Sequence, residues 1–150
     1  MESSALNAVG VWFYSQSTDR YLYLLRRGSK HPGHWGLAGG KVEAGETLIT
    51  AMARECREEL GFMPDCLSLT PLEKFTSDDS AFFYHTFFAC VATEFQPVLN
   101  HEHMGYAWIE SGVWPKPLHP GLWSTVHFDA VQDKLKVIRD RLRVDQLQLQ

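Results

Sequence analysis

The stretch 47–60, TLITAMARECREEL, contains neither glycine nor proline and is followed at once by Gly61. A run of that length without a backbone breaker, closed by glycine, predicts an α-helix with a glycine C-cap. Projected at about 100° per residue, Leu48, Ile49, Met52, Ala53, Cys56 and Leu60 spread over one broad face that should pack on a sheet. Glu55, Glu58 and Glu59 fall in a separate arc beside that face, flanked by Arg54. Two carboxylates about 5 Å apart repel by roughly 3 kcal/mol at an effective dielectric of about 20. Water would screen a solvated acidic face. A hard divalent cation, which takes oxygen ligands, would neutralise it instead. The helical projection alone leaves both readings open.

The segment ahead of this helix narrows the choice. Residues 28–45 hold six of the eleven glycines, so this is a loop with special backbone needs. Gly39 and Gly40 stand just before Glu43, Gly45 and Glu46. Paired glycines let a chain turn tightly and present a carbonyl to a metal or amides to an anion. An ordinary tight turn is the other reading.

The remaining chain supplies a framework. Its 150 residues fit one domain spanning 1–150, and 45% hydrophobic residues suffice for a packed core. Residues 5–14 and 21–27 read as two strands of a hairpin across a polar turn. The aromatic-rich stretch 82–92 reads as a buried strand, and 106–109 as a short one. Residues 113–121 carry three prolines and read as a loop. A terminal helix is expected over 129–143, with Asp129 as N-cap and Val131, Leu135, Ile138 and Leu142 at helical spacing. Strands and helices mix without regular alternation, which predicts an α/β fold with a mixed sheet flanked by helices.

Charge and cysteine usage exclude several classes. The net charge is −4 and the longest basic run is Arg26-Arg27, with Lys30 near it. Chains that bind long nucleic acid carry a basic stripe, so no such partner is expected. A small anionic ligand stays compatible, since a bound cation offsets the acidity. Cys56, Cys66 and Cys90 form an odd set without zinc spacing and are expected as small buried hydrophobes. The first residues lack signal-peptide features and no apolar run is long enough to span a bilayer, so a cytoplasmic chain without a membrane partner is expected. A homodimer is left open.

Read as a whole, residues 40–62, GKVEAGETLITAMARECREELGF, resemble the Nudix hydrolase signature. That signature is G, five residues, E, seven residues, R-E, an apolar residue, any residue, E-E, any residue, G and an apolar residue. Gly40, Glu46, Arg54, Glu55, Cys56, Glu58, Glu59, Gly61 and Phe62 fill every specified position. At average residue frequencies a chance match in the chain has a probability on the order of 10⁻⁷. The resemblance implies an α/β/α sandwich on a mixed sheet. It also implies hydrolysis of a nucleoside diphosphate linked to another moiety, with Mg2+ or its substitute Mn2+ as cofactor and a small nucleotide as partner. By the same resemblance Glu58 and Glu59 are principal metal ligands, Glu55 a ligand or general base, and the Gly39 carbonyl a further ligand. Arg54 should pair with an acidic neighbour and hold the helix to its loop, and Glu46 should support that loop or reach the metal through water. Ala38 stands where many relatives carry proline, a change that removes no ligand. A Nudix-like domain that binds a nucleotide without turning it over is the alternative, disfavoured because such domains often lose box carboxylates and none is missing here.

Outside the signature, Glu102 in Asn100-His101-Glu102-His103 lies where several Nudix enzymes place a metal-binding or basic glutamate, with an exposed loop acid as the plain reading. His101 and His103 read either as a metal pair or as hydrated surface residues, and the second is expected. Arg26 and Arg27 end the second strand near the glycine loop, where relatives often contact phosphate. Trp35 and Trp12 are candidates to stack on a base or to fill the core. His85 is expected as a satisfied core histidine. Neither Pro71 nor Tyr84 aligns with the positions that mark substrate classes in the family, so the nucleotide is not readable.

Overall fold

The computed structural model describes residues 5–28 and 30–148 of the chain. Strands β1 (Leu6–Ser15) and β2 (Arg20–Arg26) are followed by the short β3 (Trp35–Gly36) and β4 (Ala38–Lys41). Helix α1 (Leu48–Leu60) precedes β5 (Ser68–Thr76), β6 (Phe82–Val91) and β7 (His103–Glu110), and α2 (Pro120–Val126) and α3 (Asp129–Gln148) close the described chain. The strands form one mixed sheet in the order β3-β2-β1-β6-β5, with β4 on β1 and β7 on β2. β1 and β6 run parallel over ten residue pairs, while the other pairings are antiparallel. The α/β sandwich expected from the sequence is therefore present.

Strict alternation along the strands divides the interior in two. Val9, Val11, Phe13, Leu22, Leu24, Phe87, Ala89 and Val91 face Ala51, Met52, Cys56 and Leu60 of α1. Trp12, Tyr14, Tyr21, Tyr23, Phe88 and Cys90 point the other way, onto Leu122 and Val126 of α2 and Val131 and Leu135 of α3. Trp12 is thus a core residue of the aromatic side. Cys56 and Cys90 are buried and Cys66 is half-buried, all three as free thiols.

Several expectations need correction. The hairpin between β1 and β2 is only two residue pairs long, Tyr14↔Tyr21 and Ser15↔Arg20. Nearer its start β1 gives the same edge to β4, pairing Ala8 to Val11 with Lys41 to Ala38. The sheet therefore forks between β4 and β2. Part of the glycine-rich segment is strand rather than loop, because β4 is built of residues small enough to lie flat on β1. Gly39 has φ 154°, and a Cβ there would stand 2.0 Å from the Val9 carbonyl oxygen, so only glycine fits this approach. β5 had no sequence signal: it is an edge strand whose pattern is broken by a bulge between Pro71 and Glu73. α2 begins on Pro120, inside the stretch read as a loop, since proline is tolerated in a first helical turn. In α3, Asp129 is the first helical residue rather than the cap, and the Phe128 carbonyl receives the amides of Val131 and Gln132. Among the described residues no helix is long and apolar enough to cross a membrane.

Candidate active site

Helix α1 is cut to length by its own residues. Thr47 accepts the Thr50 amide through its hydroxyl at 3.1 Å, and Gly61 ends the helix at φ 87°. Its roll about the axis differs from the simple projection. Ala51, Met52, Glu55, Cys56, Glu59 and Leu60 are buried, whereas Ile49, expected on the packed face, is 48% exposed. Two of the three carboxylates, Glu55 and Glu59, therefore lie in the buried row 51-55-59, beside the apolar row 52-56-60.

The glycine pair makes this possible. The Gly39 amide donates to Glu59 Oε2 at 2.7 Å. A Cβ on Gly40 would fall 2.5 Å from Glu55 Oε1, so this glycine leaves the space that Glu55 occupies. The outer side of the helix is organised by Arg54. Its guanidinium donates to both Glu46 oxygens at 2.8 and 3.0 Å, to Glu55 at 2.9 Å, to the Lys41 carbonyl at 3.0 Å and to Glu58 at 3.4 Å. Glu46 in turn accepts the Glu43 amide at 2.8 Å, which closes the loop before the helix. The Arg54 bonds hold Glu46 down to about 2.

Glu59 is in the opposite situation. It is 2% exposed, and burial, reinforced by the charges of Glu55 and Glu102, pushes its carboxyl up to about 9 against the Gly39 hydrogen bond. Burial also raises Glu55, which Arg54 opposes. Glu102 is exposed in the turn just before β7, and the Arg27 amide donates to its carbonyl at 2.9 Å, tying this turn to the end of β2. Glu59, Glu102 and His103 offer ligand atoms that all lie within 4.8 Å of one another. Glu58 and Glu55 stand outside that group, and the Glu58 side chain is 52% exposed.

His103 corrects the expectation of a hydrated surface residue. It is 4% exposed, and its Nδ1 has no hydrogen-bond partner in the protein. Burial holds its ring down to about 4, so it is neutral and its 3.8 Å approach to Glu59 Oε1 is not an ion pair. A register shift explains its placement. β7 pairs Gly105 with Leu25 and then His103 with Arg26, leaving Met104 unpaired and 52% exposed. The bulge turns His103 to the α1 side, with Leu22, Leu24 and Arg26. His101 is exposed as expected. No signal in the sequence distinguishes these two histidines, because the bulge depends on pairing with β2.

The other candidates scatter. Arg26 is half-buried, donates from Nε to the Lys30 carbonyl at 3.0 Å, and flanks Gly36 together with His119. Arg27 is exposed. Trp35 packs against the aromatic core, on the face opposite α1, and its backbone bonds Pro117 and His119 at 2.8 Å each. His85 is half-buried and satisfied by Asn7 at 3.0 Å, not a core residue. The Tyr84 hydroxyl rests over Gly10, and burial with the Glu59 charge pushes it up to about 12.

The NUDIX domain family matches residues 5–127, most of the chain and all of this site. The chain belongs to the NUDIX family. Among Nudix relatives, the nucleoside triphosphatase NudI of Shigella flexneri is 36% identical over 92 residues, covering 53% of this chain and 63% of that protein. This Nudix chain thus spans less than two thirds of the length of the curated relatives it matches. A MutT NUDIX hydrolase from Burkholderia pseudomallei shares the fold at a TM-score of 0.65 and 23% identity, covering 87% of this chain and 98% of that one. An Ap4A hydrolase from C. elegans, solved as a binary complex, matches at a TM-score of 0.55 and 26% identity over 69% of this chain and 79% of that one.

Proposed function

We propose that this Nudix chain hydrolyses a pyrophosphate bond in a nucleoside diphosphate linked to another moiety, with Mg2+ or Mn2+ as cofactor. The observation that carries the reading is the inner cluster: a buried Glu59 with Glu102 and His103 beside it, and no lysine or arginine hydrogen-bonded to the Glu59 carboxylate among the described residues. An orphaned buried imidazole nitrogen and a carboxylate cradled by glycine are donors suited to a divalent cation. A bound cation supplies neutralisation of the diphosphate and a water acidic enough to attack phosphorus.

The protein's own groups then divide the work. Glu59, Glu58 and the Gly39 carbonyl would hold the cation. Glu55, fixed by Arg54 and by the space over Gly40, is a further ligand or the general base, and Glu102 serves as a ligand or base from the β7 loop. Arg54 positions the acids by its bonds to Glu46 and Glu55. Arg26 and Arg27 meet substrate phosphate at the mouth of the fork. Trp35 supports that wall through its backbone bonds. The substrate class includes nucleoside triphosphates, as the name of NudI suggests, and dinucleoside polyphosphates, as that of the Ap4A hydrolase does. ADP-ribose and nucleotide sugars share the same linkage.

The test is a turnover screen over normal and oxidised nucleoside triphosphates, diadenosine polyphosphates, ADP-ribose and nucleotide sugars, with each cation. Release of a nucleoside monophosphate that disappears in Glu59→Gln is expected. Tight binding of a nucleotide without turnover across the panel would move the chain to the sensor reading.

A further inference from the structure

The expected ligands of this site are all oxygen donors, yet the group that the fold gathers contains an imidazole. Three observations set His103 apart from an ordinary buried histidine. It is 4% exposed, and its Nδ1 has no hydrogen-bond partner in the protein. A buried polar nitrogen left without a partner is destabilising, so it calls for an explanation. Its separation from Glu59 Oε1 is 3.8 Å, beyond hydrogen-bond range. Two donors that share one cation at about 2.1 Å each lie up to about 4.2 Å apart. The gap is therefore too wide for a direct bond and fits a shared ion.

The β7 bulge aims the ring. By pairing His103 with Arg26 and skipping Met104, it sets the imidazole on the α1 side of the sheet, next to the helix that carries Glu59. Glu102, one residue earlier, offers a ligand atom within 4.8 Å of ligand atoms of Glu59 and His103.

We propose that His103 Nδ1 is a nitrogen ligand in this cation site, so that the Glu59–Glu102–His103 subsite selects a first-row transition ion such as Mn2+ over Mg2+. This deepens the hydrolase reading and rests on it. Mg2+ takes oxygen ligands in a strict octahedron and gives up water reluctantly. Imidazole suits the transition ions, whose affinity for nitrogen donors rises from Mn2+ toward Cu2+.

The experiment is pulsed electron paramagnetic resonance on the full chain loaded with one equivalent of Mn2+. The expected spectrum shows the modulation of a directly bound 14N, which changes character when the protein is labelled with 15N-histidine. The modulation survives in His101→Gln and vanishes in His103→Gln, with the wild-type circular dichroism retained. The ratio of Mn2+ to Mg2+ affinity falls about tenfold or more in His103→Gln. Should that variant not fold, His103→Asn replaces it, and the labelled wild-type spectrum still reports whether an imidazole is bound. Mn2+ bound without nitrogen modulation overturns nitrogen ligation and leaves the hydrolase reading standing. Modulation that persists in a folded His103→Gln protein assigns the nitrogen elsewhere and also overturns it. A chain that binds no Mn2+ at all defeats both.

Discussion

The glutamates on the outer and inner sides of the acidic helix are held by different partners. Outside, Glu46 and Glu58 share Arg54, a fixed positive charge with bonds into the preceding loop. Inside, Glu59 is supported by one backbone amide, faces Glu102, and abuts a neutral His103. Arg54 balances Glu46, Glu58 and the buried Glu55, and Glu46 also closes the loop before the helix. Glu59 has no basic partner among the described residues and is where an external cation would bind most strongly, because burial weakens screening. Carboxylates three and four residues apart on one helix are thus not interchangeable, and the difference lies in which side of the helix meets the glycine pair.

The largest effect expected from this contrast is on turnover. Glu59→Gln should lower kcat by about 10³-fold or more, whereas Glu58→Gln should cost at least tenfold less, on the scale of losing one group that acts only in the transition state. Steady-state rates on the substrate found in the screen decide this, and equal losses in the two variants would erase the inner–outer distinction.

Next in size are the glycines. Gly39→Ala puts a Cβ against the Val9 backbone and should cost about 3–4 kcal/mol or prevent folding. At Gly40→Ala the nearest atoms are those of the Glu55 carboxylate, a side-chain end and not backbone. Its stability should change by less than about 1 kcal/mol while activity falls about tenfold through a displaced Glu55. Chemical denaturation of the two variants side by side separates a backbone clash from a displaced acid.

The pH dependence of stability without metal should differ in sign between the halves. Glu59 has its ordinary value near 4.5 raised to about 9 in the folded protein. The folded state then binds more protons than the unfolded chain in that window, so this group's contribution to stability is present at low pH and lost as pH rises through it. Glu46, held down to about 2, contributes stability above its ordinary value of 4.5 that disappears only as pH falls through that range. Melting temperatures in a chelator should therefore decline from pH 5 to pH 9, and the decline should flatten in Glu59→Gln. A profile unchanged by that substitution would place the proton elsewhere.

The smallest effect is a check on the roll of the helix. Ile49→Gln should alter stability by less than about 0.5 kcal/mol, because the residue is exposed. A loss of 1–3 kcal/mol on the same denaturation assay, which is about what burial of such a side chain contributes, would restore it to the packed face.

Much of this protein was legible before folding was considered. The absence of breakers over 47–60 with Gly61 after it determined a helix with a glycine C-cap, and the apolar runs over 5–14, 21–27 and 82–92 determined three strands. The spacing of Gly40, Glu46, Arg54, Glu55, Glu58 and Glu59 determined the family, because local residues and their order suffice for it. The roll of α1 was decided by packing: Gly39 and Gly40 on β4 opened room for Glu55 and Glu59, and that space arises only when β4 lies on β1. His103 entered the site through a one-residue slip between β2 and β7, 77 positions apart at the Arg26–His103 pair. Sequence periodicity reports which face a strand residue takes only while the register is unbroken, and register is a property of two strands together. Local chemistry was therefore written in the chain, and the burial that gives Glu59 and His103 their unusual states came from the tertiary structure.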